Sequence, residues 1–216
     1  MKSSHQQKRL PHMFLLIALC FLAVYICEIL FDLKYDLSLN TEFVSERPWT
    51  LITSVFAHSS ALHLAHNIFP SILFGYIIEV MTCGRLLIFI FLSTALAGNI
   101  AGLCFYPDKN LLGASGGVNG LVGFITGYKP LLILYWGFPM PAILLSLVWL
   151  TLDLSGVINP TDNTGHAAHI GGLVTGLLMG IIYRRIHPPP VRKEEKIEDL
   201  PEDLIEEWEE NYILRE

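Results

Sequence analysis

Long apolar runs that contain no Asp, Glu, Lys or Arg dominate the pattern of this chain. Six such stretches occur, over residues 10–27, 61–78, 86–107, 111–128, 130–152 and 163–183. Each is close to the ~20 residues that an α-helix needs to cross the hydrocarbon core of a bilayer. The pattern therefore predicts an all-α polytopic membrane protein with six transmembrane helices, numbered here by these stretches.

Prolines refine the fifth stretch. Pro139 and Pro141 would interrupt a helix running through all of 130–152, whereas proline is favoured in a first helical turn. We therefore expect the fifth helix to begin near Pro139, and residues 129–138 to form an interfacial connector. The loop 32–60 is long and carries Trp49, which predicts a structured, partly membrane-embedded first loop.

Composition supports the bilayer as the solvent. The chain is 52% hydrophobic and 16% charged, with a mean hydropathy of +0.49, which is too apolar for an ordinary soluble domain. The net charge of −6 comes from residues 192–216, which hold eleven acidic and four basic residues. We find no concentrated basic patch, so we expect no nucleic-acid partner.

Basic residues near the helix ends predict the orientation, because cytoplasmic loops are enriched in them. Six crossings from a cytoplasmic N-terminus put ten of them on one side: Lys2, Lys8, Arg9, Arg85, Lys129, Arg184, Arg185, Arg192, Lys193 and Lys196. The other side receives three: Lys34, Arg47 and Lys109. We expect a multi-pass protein of the cell membrane with both termini in the cytoplasm.

This orientation gives three parts: a cytoplasmic segment 1–11, a six-helix membrane domain 12–186 and an acidic cytoplasmic tail 187–216. In the tail, apolar residues recur at helical spacing, which fits a short amphipathic helix or a disordered segment: Ile197, Leu200, Leu204 and Trp208. The four cysteines show no ligand spacing, so we expect packing roles for them, with no disulfide, metal site or cofactor.

Polar residues inside membrane spans are costly, so they are candidates for function. They concentrate in three sets: His58, Ser59, Ser60, His63, His66 and Asn67 at the second stretch; Ser115 and Asn119 in the fourth; His166 and His169 in the sixth. In the assigned orientation, the second, fourth and sixth helices all begin at the outer face. The three sets should therefore converge on one water-accessible cavity.

Ser115 lies in the run Gly113-Ala114-Ser115-Gly116-Gly117. At the start of a helix it would have free backbone N–H groups and the positive end of the helix dipole beside it, and both suit a developing oxyanion. By itself the run is more typical of a packing contact of small residues such as Gly116 than of a catalytic serine.

His169 lies beside a stripe of small residues at four-residue spacing: Ala168, Gly172, Gly176 and Gly180. The stripe predicts close packing of the sixth helix on the glycine-bearing fourth, which would bring His169 to Ser115. A neutral imidazole there would take the hydroxyl proton and return it to the leaving amine. Without that pairing, the histidine would be an ordinary packing residue.

His63 and Asn67 are four residues apart and share one helix face. Their N–H groups would supplement the Ser115 backbone N–H in an oxyanion site. Hydrogen bonding between helices is the alternative role for both.

These motifs resemble those of the rhomboid intramembrane proteases, which carry GxSG on the fourth helix, a histidine followed by a small residue and glycine on the sixth, and HxxxN on the second. The matching runs are Gly113-Ala114-Ser115-Gly116, His169-Ile170-Gly171-Gly172 and His63-Leu64-Ala65-His66-Asn67. The resemblance covers roughly residues 12–186.

The resemblance implies a serine endopeptidase that cuts in or next to transmembrane helices of single-span or polytopic membrane proteins. It implies a dyad of Ser115 as nucleophile and His169 as general base and acid, without an acidic third member. It also implies an oxyanion site of His63, Asn67 and the Ser115 N–H, and substrate access near the second helix and the loop 153–164. The family's usual tyrosine four residues after the serine is replaced by Asn119, which we expect to hydrogen-bond the imidazole instead.

Three other functions compete with this one. A metalloprotease would use the many histidines, but there is no HExxH motif, and no carboxylate is expected near them. A non-catalytic rhomboid-like protein that binds transmembrane segments typically lacks the serine or the histidine, and both are present here. A transporter would need an acidic residue inside a span and an inverted repeat, and the sequence predicts neither.

Overall fold

The computed structural model describes residues 11–107, 109–189 and 202–203. The N-terminal basic residues and the expected tail helix lie outside these ranges. In chain order the elements are α1 (Met13–Phe31), α2 (Lys34–Leu37), α3 (Thr50–Thr53), α4 (Ala61–Met81), α5 (Gly84–Phe105), α6 (Ser115–Tyr128), β1 (Ile133–Trp136), β2 (Phe138–Pro141), α7 (Ala142–Ile158) and α8 (His166–Ile186). Most of the described residues are thus helical, with one short hairpin among them.

Four of the described helices are long and apolar enough to cross a membrane: α1, α4, α5 and α8. The other two apolar helices are shorter than the sequence predicts, with 14 residues in α6 and 17 in α7. The predicted count of six spans is therefore not reached by length alone. Helix α6 begins at Ser115, four residues after the start of the fourth apolar stretch. Gly113 has a φ of 118°, a left-handed conformation that does not continue a helix.

Residues 129–141 differ most from the expectation. Residues 133–141 form an antiparallel hairpin in which Tyr135 pairs with Pro139, and Gly137 makes the turn at a φ of 80°. A non-helical connector does follow α6, as expected, but it forms a hairpin and continues to Pro141; the helix start expected near Pro139 is wrong, because α7 begins at Ala142. Proline lacks a backbone N–H, so it is tolerated in a two-stranded hairpin, where not every residue must donate a hydrogen bond.

Helix α6 is the centre of the bundle. It is buried throughout Gly116–Tyr128 and packs against α4, α5 and α8. The contact with α8 is between backbones, because a Cβ atom on Gly172 would overlap the carbonyl oxygen of Gly116. One turn further, a Cβ atom on Gly176 would overlap the carbonyl oxygen of Gly120. Small residues thus hold the two helices in one register.

The first loop is structured and supports the start of α6. Leu39 and Leu111 exchange backbone hydrogen bonds of 2.8 and 2.7 Å, and the Gly113 N–H donates to the Ser54 carbonyl at 2.8 Å. The buried Asn99 amide of α5 donates to the Ser54 hydroxyl at 2.9 Å. These contacts fix the segment that leads into Ser115.

The four cysteines are all free and exposed, so no buried packing role is seen for them among the described residues: Cys20, Cys27, Cys83 and Cys104.

Candidate active site

Ser115 and His169 meet where α6 and α8 begin. Ser115 is the first residue of α6, and His169 lies in the first turn of α8. The His169 Nε2 atom is 2.8 Å from the Ser115 Oγ, which is the length of a good hydrogen bond. The contact depends on the close α6–α8 packing, because Gly116 directly follows Ser115 and Gly172 lies three residues after His169.

A carboxylate stands on the other side of the imidazole. Asp153 of α7 is buried, and its Oδ1 is 2.9 Å from the His169 Nδ1. An ionised carboxylate only accepts hydrogen bonds, so Nδ1 carries the proton and Nε2 presents its lone pair to Ser115. The expectation that no carboxylate lies near these histidines is therefore wrong.

The same carboxylate oxygen contacts a second imidazole. The His166 Nδ1 is 2.8 Å from the Asp153 Oδ1, and the His166 Nε2 is 3.3 Å from the Oδ1 of Asp162. Hydrogen bonds from Thr164 and the nearby His166 ring lower the pKa of the exposed Asp162 carboxyl. His166 thus lies between a buried and an exposed carboxylate.

Asp153, His166 and His169 are the described residues whose ligand atoms lie near enough to hold a metal ion, within 4.8 Å of one another. In a tetrahedral zinc site, metal–ligand bonds of about 2.1 Å separate neighbouring ligand atoms by about 3.4 Å. The Asp153 oxygen is instead 2.8 and 2.9 Å from the ring nitrogens. That spacing fits charge-assisted hydrogen bonds better than shared metal coordination.

His63 and Asn67 reach the segment before Ser115 from α4. An atom at the Cβ position of Gly113 would be 2.7 Å from the His63 Nε2 and 3.9 Å from the Asn67 Nδ2. The Ser59 N–H donates to the His63 Nδ1 at 3.4 Å, which leaves the ring proton on Nε2. Asn67 donates one amide hydrogen to the His63 carbonyl at 3.0 Å and keeps a second. Both side chains therefore offer an N–H group beside Gly113, in the cavity that Ser115 also lines.

Asn119 does not hydrogen-bond the imidazole, contrary to the expectation. Its amide donates to the Ser115 carbonyl oxygen at 3.0 Å, one helical turn back, and its buried Oδ1 has no hydrogen-bond partner among the described residues. The His169 Nδ1 is already bonded to Asp153, so the imidazole has no free ring nitrogen for Asn119.

A second buried polar contact lies behind His63. Glu28 of α1 accepts a 3.0 Å hydrogen bond from the His58 backbone N–H. The His58 and His63 rings are 5.3 Å apart between centroids. Burial lowers the pKa of His58 to about 4, so its ring is neutral at pH 7.

One cavity of about 830 Å³ joins these groups, and its lining includes His63, Asn67, Ser115, Asp153 and His169. A space of this size holds several water molecules beside a peptide segment. The arrangement combines an aligned hydroxyl and imidazole, further N–H donors and room for water. It is therefore suited to acyl transfer followed by hydrolysis.

A family model described as a rhomboid domain matches residues 45–186, which is well over half of the chain. The chain belongs to the rhomboid family. This confirms the resemblance given by the serine and histidine motifs, and it makes this rhomboid an integral membrane protein.

Curated relatives agree with this assignment. This rhomboid is 32% identical over 138 residues to RHOMBOID-like protein 6, mitochondrial, of Arabidopsis thaliana, a match that covers 62% of this chain and 43% of the relative. It is 31% identical over 144 residues to Rhomboid-related protein 1 of Caenorhabditis elegans, covering 62% and 39% of the two chains.

A third relative, Rhomboid protein 1, mitochondrial, of Saccharomyces cerevisiae, is 29% identical over 159 residues, covering 68% and 44% of the two chains. This chain spans less than half the length of each of these three relatives.

Proposed function

We propose that this rhomboid is an intramembrane serine endopeptidase that hydrolyses peptide bonds in or next to transmembrane helices of other membrane proteins. The observation that carries the proposal is the 2.8 Å contact between the Ser115 Oγ and the His169 Nε2. It lies in a cavity large enough for water and a peptide segment. A nucleophile already hydrogen-bonded to its base is the arrangement that covalent catalysis by serine requires.

In the proposed first step, the Ser115 Oγ attacks the carbonyl carbon of the scissile bond while the His169 Nε2 takes the hydroxyl proton. Negative charge develops on the carbonyl oxygen. Helix α6 begins at Ser115, so the Ser115 backbone N–H has no acceptor within the helix and is free for this oxygen. The His63 Nε2–H and the second Asn67 amide hydrogen supply further donors.

In the second half, the imidazolium gives its proton to the leaving nitrogen, and the C–N bond breaks to leave an acyl-enzyme on Ser115. A water molecule from the cavity then attacks the ester carbonyl while His169 removes its proton. The proton returns to the Ser115 oxygen as the carboxylic acid product leaves. Atoms and charges balance without any cofactor.

The short central helix supports a site below the membrane surface. At 1.5 Å per residue, the 14 residues of α6 span about 21 Å. The hydrocarbon core is about 30 Å thick, so if the C-terminal end of α6 lies at the inner boundary, its first residue lies about 9 Å below the outer boundary. We propose that α6 and α7 complete six crossings and that Ser115 lies at this depth.

Substrate access is proposed between α4 and α7. The Trp136 ring, from the hairpin, stacks on Phe74 of α4 at 5.7 Å and meets Trp149 of α7 edge-on at 5.5 Å. Trp136 also lines the cavity. The family resemblance implies a gating loop over 153–164, but α7 continues to Ile158, so the hairpin tip is the better candidate.

The proposed location is the cell membrane, with both termini in the cytoplasm, on the basis of the basic residues near the helix ends. Two relatives carry mitochondrial names, which points to a different membrane. Fusing a fluorescent protein to the C-terminus and testing its accessibility to protease would separate these locations and orientations.

The test of the activity is cleavage of a single-span substrate by the full chain in liposomes. The substrate helix should carry helix-destabilising residues near its outer end. We expect cleavage by the wild type and none above background by Ser115→Ala or His169→Ala. Thr151→Val, an exposed substitution on α7, is the matched control and should cleave normally.

Equal cleavage by the wild type and Ser115→Ala would refute the proposed nucleophile. Retention of the substrate without cleavage by the wild type would instead favour a non-catalytic rhomboid that binds transmembrane segments.

A further inference from the structure

We propose that Asp153 is a positioning residue that turns the Ser115–His169 pair into a serine–histidine–carboxylate triad, with His166 as a second hydrogen-bond donor to the carboxylate. This inference rests on the proposed function. It departs from the dyad that the sequence motifs imply, and it is carried by a side chain that none of those motifs contains.

The first observation is the linear order of the contacts. The Asp153 Oδ1 lies 2.9 Å from one nitrogen of the His169 ring, and the Ser115 Oγ lies 2.8 Å from the other. A neutral imidazole carries one proton, and the wrong tautomer would point an N–H at the serine hydroxyl and could not act as a base. The carboxylate selects the tautomer in which Nε2 accepts the serine proton.

The second observation is burial. Asp153 is 7% exposed, so its charge is not screened as a surface charge would be. When His169 takes the serine proton, an imidazolium forms between the oxyanion site and this carboxylate. A hydrogen bond to a fixed, buried charge is stronger than one in bulk water, so the carboxylate stabilises the imidazolium.

The third observation is that α7 is shaped to hold the second histidine. A Cβ atom on Gly156 would overlap the His166 ring, so only glycine leaves room for the ring beside Asp153. His166 then donates to the Asp153 Oδ1 at 2.8 Å and holds the carboxylate in one orientation. Two donors on one oxygen also satisfy a buried charge that would otherwise be costly.

The test uses the full chain in detergent micelles or liposomes with the single-span substrate. Asp153→Asn keeps the shape of the side chain and removes its charge. We expect kcat to fall roughly 10- to 100-fold, the range of a hydrogen bond to a charged group, while KM changes little. Thr151→Val on the same helix should retain wild-type kcat and KM.

A spectroscopic measurement separates positioning from simple packing. In protein labelled with ¹⁵N-histidine, the His169 signals are assigned by comparison with His169→Gln. We expect Nδ1 to be protonated in the wild type at pH 7.5. In Asp153→Ala, which lacks the acceptor, we expect the proton to move to Nε2.

Wild-type kcat in Asp153→Asn, or an unchanged His169 tautomer in Asp153→Ala, would overturn the inference. So would a loss confined to KM or melting temperature, because that would mean that Asp153 only ties α7 to α8. These outcomes leave the proposed function intact if Ser115→Ala remains inactive. An inactive wild type would count against the proposed function, and the tautomer measurement would still test the role of Asp153.

Discussion

A single methyl group at Gly172 should separate the nucleophile from its base. In Gly172→Ala the new Cβ would overlap the carbonyl oxygen of Gly116, although Cβ atoms essentially never approach another heavy atom closer than 3.0 Å. Both groups belong to helix backbones and cannot rotate away. Relief therefore requires α8 to move from α6 by about 1 Å, and overpacking of this kind costs about 1–3 kcal/mol.

Such a movement reaches the site directly, because Gly116 follows Ser115 and Gly172 lies three residues after His169. Lengthening the 2.8 Å Nε2–Oγ distance by about 1 Å takes it beyond hydrogen-bond range. A displacement of this size at a catalytic group can cost about 100-fold in rate. We expect Gly172→Ala to lower kcat by that order and to lower the melting temperature by several degrees.

The assay is cleavage of the single-span substrate, with a melting curve recorded on the same preparation. Gly165→Ala is the matched control, because its Cβ would meet only the Ala168 Cβ at an ordinary 3.7 Å. We expect it to cleave at close to the wild-type rate. Wild-type activity and stability in Gly172→Ala would refute the reasoning that backbone contact between α6 and α8 sets the catalytic distance.

Three further predictions concern the surroundings of the site. Asn67→Ala should lower kcat by about 100-fold with little change in KM, because it removes one oxyanion donor; a loss confined to KM would contradict that role. Trp136→Ala should lower KM for the single-span substrate if the ring restricts access between α4 and α7, and a raised KM would indicate a substrate-binding role instead. His58 should make the protein less stable in acid. Its pKa is about 4 in the folded protein and 6.5 in the unfolded chain, so the unfolded chain binds the proton first as pH falls. This lowers the free energy of unfolding by up to about 3 kcal/mol. His58→Phe should flatten thermal stability between pH 6.5 and 4, whereas an unchanged slope would assign the acid sensitivity to other groups.

The sequence was sufficient to predict the meeting of Ser115 and His169, because two independent patterns lead to it. Polar residues cluster at the starts of three spans on one side, and the stripe of Gly172 and Gly176 requires close backbone contact. Both patterns are local in sequence and have few structural solutions in a membrane. The rhomboid motifs fall on the same residues.

Asp153 could not be found in this way. Scanning for stretches without charge ends the fifth span at Leu152, immediately before it, and so assigns the carboxylate to a loop. Helix α7 instead continues to Ile158, because hydrogen bonds from His166 and His169 satisfy the charge. That compensation is a tertiary contact between separate helices and leaves no local pattern.

The hairpin was missed for a related reason. Pro139 and Pro141 fit both the first turn of a helix and a short strand, and the predicted helix used the first possibility. The turn at Gly137 between aromatic residues is a signal for a hairpin, but it is a weak one. The packing of Trp136 against Phe74 and Trp149 stabilises the hairpin, and that contact cannot be read from the local sequence.

The central claim, that Ser115 is a nucleophile activated by His169, is tested most directly by covalent labelling. The detergent-solubilised full chain is treated with a fluorophosphonate, digested and analysed by mass spectrometry. We expect one adduct on the peptide containing Ser115, with none on Ser115→Ala and strongly reduced labelling of His169→Ala. Equal labelling of the wild type and His169→Ala, or an active wild type with no adduct on Ser115, would contradict the account.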